Sequence, residues 1–175
     1  MAILKIVTAP DPILKKPSSP VEKVTEETRS LMKDMLETMY SDAGIGLAAV
    51  QIGVHKQIIV IDLQTDDDEE REGSFYPLYL INPVITDSSE EMNVATEGCL
   101  SVPQLRIDVP RPSSIVIDYL DYHGEKKNLE VSGWLARVIQ HEMDHLHGKL
   151  IIDYLSSIKR DFAISKLKKL KKQLL

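Results

Sequence analysis

The 175-residue chain has one cysteine, Cys99, so no internal disulfide can form. No apolar run is long enough to cross a bilayer. The opening MAILKIVTAPDP meets its prolines after a short apolar run and so lacks the core of a secretory signal. Positive charge is not in excess either. The 21 lysines and arginines stand against 27 aspartates and glutamates, a formal charge of −6, unlike the basic balance of a general nucleic-acid binder. These absences lead to the expectation of a reduced, cytoplasmic protein with no DNA and no membrane partner. In that setting a lone cysteine is either a small buried hydrophobe or a reactive or ligating thiolate.

What is present is ordinary globular material, 43% hydrophobic and 27% charged. The length suits one domain, residues 1–175, around one core. Pro10, Pro12, Pro17 and Pro20 predict an extended opening segment. Thr25 as N-cap, Glu26 and Glu27 in the first turn, and Leu31, Met35 and Met39 at helical spacing predict a helix to Tyr40. The glycines of DAGIGLAAVQIG predict a loop leading to a strand at QIIVID, and DDDEEREG predicts a solvated loop. LYLINPVI reads as a strand, and SIVIDYLD with KKNLEV as a hairpin turning at Tyr122-His123-Gly124. A second helix runs from an N-cap at Ser132 to Gly148. A third, from Ser157 onward, carries Ile158, Phe162, Leu167, Leu170 and Leu174 as an imperfect apolar stripe among lysines. The sum is an α+β fold, antiparallel strands around a central helix with one helix before and one after it.

That central helix carries QHEMDHLHG. His141 and His145 are four residues apart and can grip one ion from the same helix face, while Glu142, offset around the helix, can sit beside a metal-bound water as a general base. His147 points elsewhere, which suits the surface or the helix end, and Asp144 suits a supporting or packing role. A catalytic site needs a third protein ligand. Downstream the chain offers His147, Asp153 and Asp161 but no glutamate. Upstream, EGCLSVP presents Cys99 after a tight turn allowed by Gly98. A buried thiol is the usual fate of a cysteine, but beside an HEXXH helix without another third ligand the ligating reading is preferred.

Three separated motifs, GIGLAAVQ (Gly44 to Gln51), EGCLS (Glu97 to Ser101) and QHEMDH (Gln140 to His145), closely resemble in order and spacing the signature motifs of the bacterial-type peptide deformylases. The resemblance extends over essentially the whole chain. It implies a metal held by Cys99, His141 and His145, with Glu142 as general base and acid. It implies that Gln51 and the backbone N–H of Leu100 polarise the formyl carbonyl, and that the backbone around Gly46 bonds the peptide. The implied reaction is hydrolysis of the N-formyl group from the initiator methionine of nascent polypeptides, a step of protein biosynthesis that releases formate. The implied ion is Fe²⁺, replaceable by Ni²⁺, Co²⁺ or Zn²⁺. The C-terminal helix is implied to dock near the ribosomal exit tunnel, its basic face meeting RNA phosphate.

Helical spacing places Val138 near the ligands, and with Ile45 it is a candidate wall for the methionine side chain. Arg137 is unexpected so near an apolar pocket. It either snorkels to the rim and contacts substrate backbone or faces solvent. Trp134 suits core packing or the pocket mouth. Two other readings compete: a zinc metallopeptidase, which lacks its downstream ligand here, and a catalytically silent metal domain, which has no need of Glu142.

Overall fold

The computed structural model describes residues 2–65 and 75–174. The acidic run DDDEEREG lies outside the described residues. Among the described residues three α-helices, α1 (Glu26–Ser41), α2 (Gly133–Leu146) and α3 (Ser157–Gln173), accompany seven strands: β1 (Gly46–Ala48), β2 (Ile58–Ile61), β3 (Leu78–Ser88), β4 (Met92–Cys99), β5 (Val102–Pro112), β6 (Ser114–Leu120) and β7 (Lys126–Ser132). All pairings between these strands are antiparallel. One sheet has the order β1-β2-β3-β6-β7, and β4 pairs with β5 alone. The α+β expectation matches.

The five-stranded sheet lies between α1 and α2. Alternate residues of β2 explain its unbroken apolar run: Ile58 and Val60 meet Met32, Met35 and Met39 of α1, whereas Ile59 and Ile61 meet Ala136, Val138 and Ile139 of α2. A strand covered on both faces has no polar side to show. Each such fully buried side chain contributes about 1.5–3 kcal/mol of burial free energy. At the start of α1, Thr25 and Thr28 exchange backbone-to-side-chain bonds of 3.2 and 3.3 Å, the reciprocal cap that the N-cap assignment anticipated in part. A separate apolar cluster joins Val102, Ile107 and Val109 of β5 to Leu150, Ile151 and Ile152 and to Ala163 and Leu167 of α3.

Several local expectations are corrected. Residues 46–52 are not only loop: β1 pairs with β2, and a 3₁₀ turn spans Ala49–Ile52. Short strands built from Gly and Ala carry no alternation to read. The opening contains a 3₁₀ turn, Pro12–Lys15, capped by the Asp11 side chain. Ser132 occupies the N-cap of α2 but makes no side-chain capping bond. Gly98 lies within β4 at a register shift, and the turn falls at Leu100 and Ser101. The stripe assigned to the last helix is mostly not its buried face: Ile158 is 69% and Phe162 74% exposed, whereas Ala163 and Leu167 are buried. Spacing alone finds an apolar line, and packing selects which line meets the core. Beyond α2, Gly148 has φ +73°, and a Cβ there would collide with the Lys15 carbonyl, so the chain crossing at that point requires glycine.

Candidate active site

Three elements meet around one cavity of about 530 Å³. β1 and the turn after it bring Gly46 and Gln51, the β4–β5 turn brings Cys99 and Leu100, and α2 brings His141 and Glu142, all bordering the cavity. Ile45, Val138, Arg137 and Trp134 border it too. His145 lies deeper, almost wholly buried, with its Nε2 3.4 Å from Cys99 Sγ.

The ligand atoms of Cys99, His141 and His145 all fall within 4.8 Å of one another. One sulfur and two imidazole nitrogens at that spacing fit a single first-row divalent ion, since such ions bind thiolate and imidazole at about 2.0–2.3 Å. His141 Nδ1 is 2.8 Å from Glu97 Oε1, which leaves Nε2 to face the ligand cluster. Burial opposes a charge on His141, but hydrogen bonds with Cys99 and Glu97 outweigh it and raise its pKa well above the ordinary value. Burial, then the neighbouring His141 and Arg111 charges, push His145 well below it.

Glu142 is almost fully buried, and burial pushes its pKa up to about 7 against the partly compensating charges of His141 and Arg111. Its Oε1 lies 3.9 Å from His141 Nε2, and its Oε2 has no hydrogen-bond partner among the described residues. A Cβ on Gly46 would stand 2.7 Å from Glu142 Oε1, so glycine in β1 gives the carboxylate its room. Gln51 is also oriented by the fold. The Ala48 N–H donates to its Oε1 at 2.9 Å, which turns Nε2 toward Ser101 Oγ at 3.1 Å and Cys99 Sγ at 3.7 Å. An amide held this way presents its donors to the site.

Two residues that sequence reasoning gave no role, Glu97 and Arg111, anchor the site from behind. Arg111 donates Nε to Glu97 Oε2 at 2.7 Å and Nη2 to Glu97 Oε1 at 2.9 Å, while its Nη1 reaches Asp144 Oδ2 at 2.9 Å. Tyr154 donates to the same Asp144 oxygen at 2.7 Å. Burial opposes the Glu97 charge, yet the Arg111 and His141 bonds and charges overcome it and hold the carboxyl down at about 2. Glu97 was visible as part of EGCLS; its position two residues before Cys99, on the same strand face, was the available signal.

Arg137 borders the cavity but neither snorkels to the rim nor faces solvent. The side chain is 6% exposed, and its guanidinium turns inward to Glu97, Val109 and Asn93. A buried guanidinium needs acceptors, and the hairpin supplies three. Trp134 is 48% exposed at the cavity, which fits the pocket mouth rather than the core. His147 is exposed at the C-cap of α2.

An α+β fold whose HEXXH helix meets a hairpin cysteine at one cavity, bringing together a sulfur and two imidazole nitrogens that could hold a metal ion, fits one class, the metal-dependent hydrolases. Comparison narrows it. Residues 3–161 match the family model for polypeptide deformylase. Peptide deformylase 1 of Rickettsia conorii is 58% identical over 171 residues, covering 98% of both chains, and the peptide deformylase of Orientia tsutsugamushi (strain Boryong) is 50% identical over 175. The crystal structure of peptide deformylase from Ehrlichia chaffeensis superposes with a TM-score of 0.90 at 45% identity, covering 98% of each chain. A structure of peptide deformylase from the same organism in complex with actinonin gives 0.89 at 49%, covering 97% of this chain and 98% of that one. The chain belongs to the polypeptide deformylase family: it is a hydrolase that removes the N-formyl group from nascent polypeptides.

Proposed function

We propose that Cys99, His141 and His145 hold one divalent ion and that Glu142 moves the protons of formyl hydrolysis beside it. The observation that carries this reading is the convergence of three donor atoms from two separate elements within 4.8 Å, next to a buried carboxylate with one unengaged oxygen. When bound, such an ion supplies Lewis-acid polarisation of the formyl carbonyl and an acidified water. Glu142 takes a proton as water attacks the formyl carbon and returns it to the departing amino nitrogen, so formate and a free α-amine leave. Burial raises the pKa of this carboxyl, which makes it a stronger base than an exposed carboxylate and suits it to take up the proton. Gln51 Nε2 and the Leu100 N–H donate to the formyl oxygen as negative charge develops there. Ile45 and Val138 wall the methionine side chain, and the backbone at Gly46 bonds the peptide beyond it.

We assign Fe²⁺ as the resident ion, with Ni²⁺, Co²⁺ or Zn²⁺ able to replace it; a thiolate with two imidazoles accepts all four. Exposed Lys166, Lys168, Lys169, Lys171 and Lys172 on α3 support docking on ribosomal RNA near the exit tunnel, and with it a cytoplasmic location. No helix of the described residues is long and apolar enough to cross a membrane. The deciding experiment supplies formyl-Met peptides to protein purified without oxygen, and measures formate together with bound metal. Formate release that tracks iron content is expected, and release that survives complete chelation would overturn the metal assignment. Ribosome co-sedimentation that weakens with salt and disappears on removal of α3 is expected for the docking role.

A further inference from the structure

We propose that Arg137 is a positioning residue for the metal site, a staple that holds the hairpin bearing Cys99 against the helix bearing His141 and His145. The inference rests on the reading of those three side chains as ligands. Apart from Arg137, the two elements are joined by polar contacts (Arg111 to Asp144, Glu97 to His141 and Gln140 to the Pro112 carbonyl) rather than by a shared apolar core. The β4–β5 hairpin is a two-stranded sheet with no ladder to the five-stranded one, and its buried side chains belong to a different apolar cluster from those of α2. Apolar packing therefore does not by itself define how far Cys99 stands from the histidines.

Arg137 spans this seam with one planar group. Its Nη1 donates to Glu97 Oε2 at 2.6 Å and to the Val109 carbonyl at 2.8 Å, and its Nη2 donates to the Asn93 carbonyl at 2.7 Å. The acceptors lie on both strands of the hairpin, and the donor lies one helical turn before His141 on the same face of α2. Glu97 passes the constraint on, since its other oxygen meets His141 Nδ1 at 2.8 Å. Charge balance alone does not explain Arg137, because Arg111 already forks onto Glu97 through Nε and Nη2. What Arg137 adds is the tie to two backbone carbonyls. A lysine offers a point charge and cannot reproduce a fork that reaches three fixed acceptors.

The test is a Co²⁺ titration of chelator-treated protein without oxygen, followed by the near-ultraviolet thiolate-to-cobalt band. Cys99→Ser serves as the control on the site itself: if the band persists there, the ligand reading fails whatever Arg137 does. With the band assigned to Cys99, Arg137→Lys and Arg137→Met are expected to raise the Co²⁺ dissociation constant by about 10–100-fold with unchanged far-ultraviolet circular dichroism. Restoration of affinity by lysine, or binding within about threefold of the parent in either folded variant, would overturn the proposal. If Arg137→Met does not fold, Arg137→Lys decides. If metal-free Arg137→Lys is itself unfolded, Arg137 is a core-stability residue and the proposal is wrong.

Discussion

Replacing Gly46 by alanine adds one methyl group at the most crowded point of the site. The new Cβ would lie 2.7 Å from Glu142 Oε1, 3.0 Å from its Cγ and 3.1 Å from its Cδ, against ordinary contacts beginning at 3.4 Å. The strand itself accepts alanine, since Gly46 pairs with Ile61 in β1 and is not among the positive-φ glycines. The side chain must therefore move, and the carboxylate retreats by about 0.7 Å, the gap between contact and clash. A misplacement approaching 1 Å in a reacting group costs up to about 100-fold in rate. The expected result is kcat lowered about 30- to 100-fold, with KM for a formyl-Met peptide and the bound metal changed little, because the Gly46 backbone proposed to bond the peptide is retained. A coupled assay of formate release on metal-matched protein measures both constants. If kcat of the folded, metal-loaded variant stayed within about threefold of the parent, Glu142 would not be the group that Gly46 makes room for in catalysis, and the reasoning would fail.

Glu142→Gln should keep its metal and lose about 10²- to 10⁴-fold in kcat; normal turnover would mean that another residue handles the proton. In chelated protein the same variant reports linkage. Glu142 is raised to about 7 in the fold from 4.5, so its penalty is absent below about pH 4.5 and grows as pH rises toward 7. Urea midpoints of parent and variant should thus agree near pH 4 and favour the variant near pH 8, by at most about 3 kcal/mol; equal offsets at both pH values would refute the burial argument. Glu97 has the opposite sign, being held down at about 2. Its stabilisation is present above about pH 4.5 and lost as pH falls toward 2, so Glu97→Gln should show a flatter acid limb in thermal melts. Cys99→Ser should lose most bound metal and activity together, and full retention of both would remove Cys99 from the ligand set.

The readable parts of this molecule were those whose signal is local. α1 announced itself by a threonine cap and buried methionines at helical spacing, and HEMDH by a spacing that is itself the geometry of a grip. The β4–β5 hairpin was not foreseen beyond a tight turn at Gly98 presenting Cys99. Leu105, Ile107 and Val109 of β5 do alternate with Arg106 and Asp108, but Pro103, Pro110 and Pro112 interrupt that strand and β4 exposes Met92 and Val94, so the local signal is mixed and pairing between distant residues supplies the rest. Arg137 shows the same limit at a single side chain. Its position on the helix was correct, but an arginine turns inward or outward according to acceptors that are 28 to 44 residues away in sequence.

The division of the donors between two elements has a consequence for how the site is held. Helix α2 is fixed on the five-stranded sheet by Val138, Ile139 and Met143, and the hairpin is fixed on α3 and the segment before it by Val109, Ile151 and Leu167. Between these two cores runs a polar seam: Glu97 and Arg111 from the hairpin, Arg137, His141 and Asp144 from the helix. Seams of buried charge add little net stability because desolvation offsets their attraction. Their directional bonds do, however, fix distance and orientation in a way that interchangeable apolar contacts do not. A site whose ligands must converge to within a few tenths of an ångström is therefore better built across such a seam than within either core. The polar residues that sequence patterns left without a role lie at that seam.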